Sequence, residues 1–225
     1  MRNSMKTIVF IISLIAYFIY LSISSAFINA AQNTGNLAFA TMVIYIFTAI
    51  GILVVIYTQA AVKYWYASKS LKNTTIHVKL QLGKFRLTDR ILVYFLPALG
   101  IIMSVIQNKS LSGINLPSML FLISLIIIIE ILFYVNSKTM KAFITNKGLI
   151  IRGIDLRLEI PLPSNYHNPS GYYPFNRIIT FLDLNDKLLV EQSYDFGNIV
   201  LKSDAETLKK IKAVLIANGI KQKKF

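Results

Sequence analysis

The chain has 225 residues, 55% of them hydrophobic and 15% charged, with 24 Lys and Arg against 10 Asp and Glu, a net charge of +14 and a mean hydropathy of +0.57. A soluble domain is typically about 25% charged, so the deficit marks long apolar segments, the signature of a membrane protein. There is no cysteine, which excludes disulfides, thiolate metal sites and cysteine nucleophiles, and the two histidines, His77 and His167, lie far apart in sequence.

Arg2 and Lys6 precede the first apolar stretch, residues 8–27. At about 1.5 Å per residue, about 20 residues cross a hydrocarbon core of about 30 Å, so this stretch predicts a first transmembrane helix. The alternative is a signal peptide cleaved after Ala26 or Ala30, where small residues cluster. An uncharged turn at 31–36 leads to a second span, 37–59, with Gly51 inside it. Tyr57, Tyr64, Trp65 and Tyr66 follow at its exit, and aromatics of this kind favour the headgroup level. Residues 60–90 read as a polar loop with seven cations, Lys63, Lys69, Lys72, Lys79, Lys84, Arg86 and Arg90, against the single acid Asp89. Within it Ile76, Val78, Leu80 and Leu82 alternate with His77, Lys79 and Gln81. That period of two predicts a short half-buried strand or an extended segment on the membrane surface.

Residues 91–107 predict a third span, kinked at Pro97 and Gly100. A loop with one charge, Lys109, leads to the fourth span, 117–136, opened by Asn115 and Pro117. This last run is almost unbroken in its apolarity except for Glu130, the only acid in any span. The cations thus number two before the first span, none in the first loop, seven in the second and one in the third; Lys138, Lys141 and Lys147 follow the fourth span. The positive-inside rule then predicts four helices with both termini in the cytoplasm. For a membrane protein the basic excess reads as topology, and no nucleic-acid partner is expected. The Ile-, Lys- and Asn-rich usage points to an AT-rich bacterial genome, and the expected location is the inner membrane.

After residue 136 the pattern changes to short strands, with 14 Lys and Arg against 8 Asp and Glu. Residues 140–145 and 149–152 flank Asn146-Lys147-Gly148, a hairpin signal in which glycine supplies a positive φ. Residues 155–162 alternate and end at Pro161 and Pro163; residues 164–176, rich in Tyr, Pro and Asn, read as a loop. Residues 177–184 and 187–194 predict a second hairpin around Asn185-Asp186, and 197–202 a last strand. Ser203 and Glu206 form a capping box ahead of a helix to about Ala217, with Leu208, Ile211, Val214 and Leu215 on its apolar face. Asn218-Gly219 ends the helix, and Lys221, Lys223 and Lys224 make a basic tail.

The run F-I-T-N-K-G-L-I-I-R-G, residues 143–153, directly after an apolar span and ahead of further strands and a final helix, resembles the bacterial pleckstrin-homology-like domains appended to small membrane proteins. The similarity covers residues 138–218; where the family carries I-P-W this chain has Ile160-Pro161-Leu162, and its Tyr-rich loop is longer. The resemblance implies a small β-barrel or sandwich capped by a helix. It transfers no functional residue, because the family shares no catalytic set. Through proteins of this kind it also implies, as one option, self-protection against membrane-active peptides.

Glu130 is the first candidate site. A carboxylate at the centre of a transmembrane helix costs about 2.5–3.5 kcal/mol on insertion scales and is by default a functional hypothesis. Tyr134 shares its helix face, and Arg86 and Arg90 are possible ion partners. It reads either as a cation or proton site in a transport path or as a paired carboxylate joining helices. The seven cations of residues 60–90 are candidates for anionic lipid headgroups. Tyr166, His167, Tyr172, Tyr173 and Phe175 form a candidate partner-binding loop, since tyrosines supply contact area at low entropic cost. No nucleophile elbow, phosphate loop, metal-ligand spacing or paired catalytic carboxylate occurs, so neither an enzyme nor a cofactor is expected. The sequence therefore predicts a four-helix membrane region, residues 1–136, and a cytoplasmic β-rich domain, residues 137–225, in an accessory protein that binds lipid and a membrane protein partner or a second copy of itself. The alternative is a subunit of a transporter using Glu130.

Overall fold

The computed structural model describes residues 3–72, 74–82, 90–91, 94, 116–158, 168–193 and 198–223. Three of its helices are long and apolar enough to cross a membrane: α1 (Asn3–Gln32), α2 (Leu37–Lys72) and α3 (Leu116–Thr139). Of the expected third span, Ile91 and Tyr94 are helical, and the rest, with Pro97 and Gly100, lies outside the described residues. The chain divides into two compact units, one of Ile11–Thr58 with Phe85–Tyr134 and one of Met1–Phe10, Gln59–Lys84 and Val135–Phe225.

The first unit is apolar outside as well as inside. Phe18, Ile23, Phe27, Ile127 and Ile131 are each more than half exposed, which suits a lipid environment and not water. Tyr17 and Tyr20 lie against Gly51, where an added Cβ would sit 3.0 Å from either ring. The Tyr20 hydroxyl donates to the Phe47 carbonyl. Ala49 packs with Leu125, Ile129 and Phe133. Side chains of α1 thus pack over Gly51 and those of α3 over Ala49, where small residues make room for them.

The second unit is built on two four-stranded sheets. The first holds β1 (Ile76–Gln81), β2 (Lys141–Thr145), β3 (Gly148–Arg152) and β4 (Gly171–Pro174) as an antiparallel meander. The second holds β5 (Ile178–Asp183), β6 (Lys187–Gln192), β7 (Ile199–Lys202) and β8 (Lys221–Lys223), in the order β7-β6-β5-β8. Alternation drives the packing: Val78, Leu80, Ala142, Ile144, Leu149 and Ile151 from one sheet and Phe181, Leu188, Val190, Ile199 and Leu201 from the other share a core. Helix α4 (Ala205–Ala217) adds Leu208, Ile211 and Leu215 to it.

Several expectations need correction. The segment read as a loop from residue 60 begins as helix, because α2 runs 36 residues, about 54 Å at the standard rise. Only about 20 of those residues are needed to cross a bilayer, and the remainder, bearing Lys63, Lys69 and Lys72, belongs to the second unit. Lys79 is on β1, and Lys84 and Arg86 lie outside the described residues. Gly171–Pro174, expected as loop, is the edge strand β4, paired with β3. The helix cap falls one residue late: Asp204, not Ser203, accepts from the Thr207 backbone N–H, at 2.8 Å. That bond first, then the Thr207 and Ser203 side chains, holds the exposed Asp204 carboxyl at about 2. The basic tail is partly strand, since Lys221–Lys223 pairs in parallel with β5. Of residues 155–162, those up to 158 are irregular and the rest lie outside the described residues.

Candidate functional site

The apolar face of α2 does not stop at the end of the span. Ile56, Ala60, Lys63 and Ala67 are all buried, at the four-three-four spacing of one helix face. Ala67 and Leu71 cover Phe143 and Ile150 on the outer face of the first sheet, with Tyr172 beside them. Burial and then the neighbouring Tyr66 push the Tyr172 phenol above its usual value. Lys63 is the exception in this face, an ammonium with no exposed surface.

Its partner comes from the irregular turn after β3. Asp155 is fully buried, 3.4 Å from Lys63 Nζ, and Lys63 also donates to the Arg157 carbonyl at 2.6 Å. Arg157 Nε donates to Asp155 Oδ1 at 2.8 Å, its backbone N–H to the same oxygen at 3.2 Å, and the Ser170 N–H to Oδ2 at 2.8 Å. Burial alone would raise the Asp155 pKa. The charges of Arg157 and Lys63 and the two backbone donors outweigh it and hold the carboxyl at about 2. The end of α3 reaches the same turn: Asn136 Nδ2 donates to the Ile154 carbonyl, and the Ile154 N–H donates to Thr139 Oγ1 at 3.1 Å. Residues 154–157 are therefore a buried polar node fastened to α2 through Lys63 and to the end of α3 through Asn136 and Thr139. With its carboxylate saturated by donors and held ionised, the node is built to fix geometry and not to exchange protons.

A second polar cluster lies in the apolar unit. Arg90 Nη1 is 3.5 Å from Glu130 Oε1, and the Tyr94 hydroxyl donates to the same oxygen. The Arg90 guanidinium lies over the Phe133 ring, 5.0 Å from its centroid, and Tyr94 meets that ring edge-on. Arg90, one of the two arginines the sequence offered to Glu130, is thus its ion partner, and Arg86 lies outside the described residues. Tyr94 was not singled out by sequence, because a span with one tyrosine gives no sign of which way it faces. Tyr134 is exposed.

The remaining candidates are scattered. Lys69 and Lys72 point outward, and Lys69 lies over the exposed Trp65 ring at 5.2 Å. Lys79 is exposed on β1. Tyr166 and His167 lie outside the described residues. Tyr173 is buried in the core with its hydroxyl donating to the Pro169 carbonyl at 2.6 Å, and Phe175 packs against the same core. With Tyr172 covered by α2, these three aromatics are used in packing. Asn168, with φ of 55°, does the work of a short strand edge: its side chain both donates to and accepts from the Val200 backbone. Among the described residues no group of three or more His, Cys, Asp or Glu could hold a metal ion. Comparison with family models, with curated proteins and with solved structures gives no match.

Proposed function

We propose that the chain is an integral membrane accessory protein whose β-rich unit is a cytoplasmic, pleckstrin-homology-like module that works at the headgroup layer. The observation that carries this reading is the continuation of α2 beyond its span. One face of the extension is used to cover a sheet, and the other presents Trp65, Lys69 and Lys72 to the outside. An aromatic and cationic stripe just past an apolar span suits anionic headgroups. Two sheets closed by a helix are what the family resemblance implies, and they support it. Connectivity supports four crossings. β1 precedes α3 and β2 follows it, yet the two strands pair. If α3 crosses the membrane, the chain between β1 and α3 must cross it once in the other direction, and residues 91–107 are the apolar stretch that can do so. Together with the positive-inside rule this supports a reading with both termini in the cytoplasm.

The test is purification from native membranes followed by identification of retained lipids and proteins. Anionic lipid enriched over the bulk membrane, and lost in Lys69→Gln/Lys72→Gln, is the expected result. Lipid of bulk composition with a stoichiometric protein partner would replace headgroup binding by partner binding. The transporter alternative is weaker, because Glu130 is occupied by Arg90 and Tyr94.

A further inference from the structure

Lys141 and Arg152 stand directly opposite one another on β2 and β3. Both lie on the outer face of the sheet, since Ala142 and Ile151, their neighbours in sequence, point into the core. Side chains opposite one another on antiparallel strands have Cβ atoms about 4.5–5.5 Å apart, and like charges there repel. Neither cation has a carboxylate partner or a side-chain hydrogen bond among the described residues. The Arg152 guanidinium is also held in place, 5.4 Å from the Tyr64 ring centroid and 5.6 Å from that of Phe143. These contacts hold the guanidinium beside the rings and leave its N–H groups without an acceptor among the described residues. Lys141 is two residues past the end of α3, within about 7 Å of chain from a helix of membrane-crossing length, and Arg152 stands opposite it.

A guanidinium held against aromatic rings beside an ammonium, in a repulsive pair that no described residue neutralises, is the arrangement that a bound phosphate completes. We infer that Lys141 and Arg152 bind the phosphate of an anionic phospholipid headgroup, Arg152 through its planar fork and Lys141 as a point charge. This deepens the headgroup reading above and rests on it. It also gives the pair a sign that a surface charge lacks. Removing one cation relieves repulsion in the lipid-free protein and weakens the lipid complex.

The test uses the full chain in a neutral detergent, with dihexanoyl phosphatidylglycerol, dihexanoyl phosphatidylcholine and inorganic phosphate as probes, read by binding and by thermal unfolding. Phosphatidylglycerol is expected to bind and raise Tm, phosphatidylcholine and inorganic phosphate much less. Lys141→Gln/Arg152→Gln should weaken phosphatidylglycerol binding about tenfold or more. Lys141→Gln alone should raise the lipid-free Tm while shrinking the lipid-induced rise, a signature that does not depend on the double variant folding. Unchanged affinity in both variants overturns the site, and inorganic phosphate binding as tightly as the lipid overturns its source. If Lys69→Gln/Lys72→Gln abolishes lipid binding while Lys141→Gln/Arg152→Gln does not, this site falls and the headgroup reading stands. If neither pair matters, both fall.

Discussion

Lys63 sits in the middle of the buried face of α2, where an ammonium without a counter-charge is not sustainable. Asp155 is what makes it sustainable, and the two residues are not equivalent. Asp155→Asn leaves Lys63 buried with no counter-charge among the described residues and is expected to cost about 3–5 kcal/mol. Lys63→Met leaves Asp155 with Arg157 and two backbone donors and should cost at most about 1–2 kcal/mol. Thermal unfolding of the full chain in detergent gives the order, and a larger loss for Lys63→Met would contradict it. The acid limb tests the same node. Asp155 is held at about 2 against an ordinary 3.8, so the unfolded chain takes up the proton first. Its contribution is complete above about pH 5 and disappears as pH falls through 4 towards 2, a loss of about 2 kcal/mol. Asp155→Asn should lack that part of the acid-induced drop in Tm. Little of the node could be read in sequence. Asp155 and Arg157, two apart, do share one side of an extended chain, and Lys63 does interrupt an alanine-rich helix face. That the two meet across 92 positions of chain is a property of the fold alone. Glu130, by contrast, announced itself as a lone acid among apolar residues, and Arg90 was within the set of partners its position allows.

At the scale of elements, α2 does two jobs with one continuous helix. Ala67 is fully buried against Phe143 and Ile150, so Ala67→Leu should overpack the contact and cost about 1–3 kcal/mol. Trp65→Ala, on the exposed side, should shift stability by less than about 0.5 kcal/mol. Equal effects in the same unfolding measurement would mean that the extension does not pack on the sheet. β1 was legible because its apolar residues alternate, and the hairpin around Asn146-Lys147-Gly148 because its turn needs a residue at φ of 151°, where a Cβ would strike the Tyr173 carbonyl. β8 and β4 were not. Lys221–Lys223 is exposed throughout and is strand only because β5 offers an edge, and β4 is four residues whose Tyr and Pro content reads equally as loop. The helical run after residue 59 was missed because its cations outweighed its apolar spacing.

For the molecule as a whole, the β-rich unit is assembled from chain on both sides of α3. A fragment of residues 137–225 lacks β1 and the end of α2, which leaves β2 as an open edge and uncovers Phe143 and Ile150. It is expected to give no cooperative thermal transition and poor dispersion by NMR, whereas the full chain in detergent melts as a unit. A sharp transition in the fragment would show that β1 and α2 are dispensable. The same assembly links fold to topology, because a sheet cannot form across a bilayer. β1 and β2 pair and so share one side, and if α3 crosses the bilayer the chain between them has to cross it twice.

The chain has no cysteine, so single introduced cysteines can report sidedness without background. The decisive measurement is labelling of Thr34→Cys, His77→Cys, Ser110→Cys and Asn185→Cys in intact and permeabilised cells with a membrane-impermeant maleimide. Labelling of positions 34 and 110 in intact cells, with 77 and 185 reached only after permeabilisation, is the predicted result. Positions 77 and 185 on opposite sides, or position 110 on the same side as 77, would contradict the account.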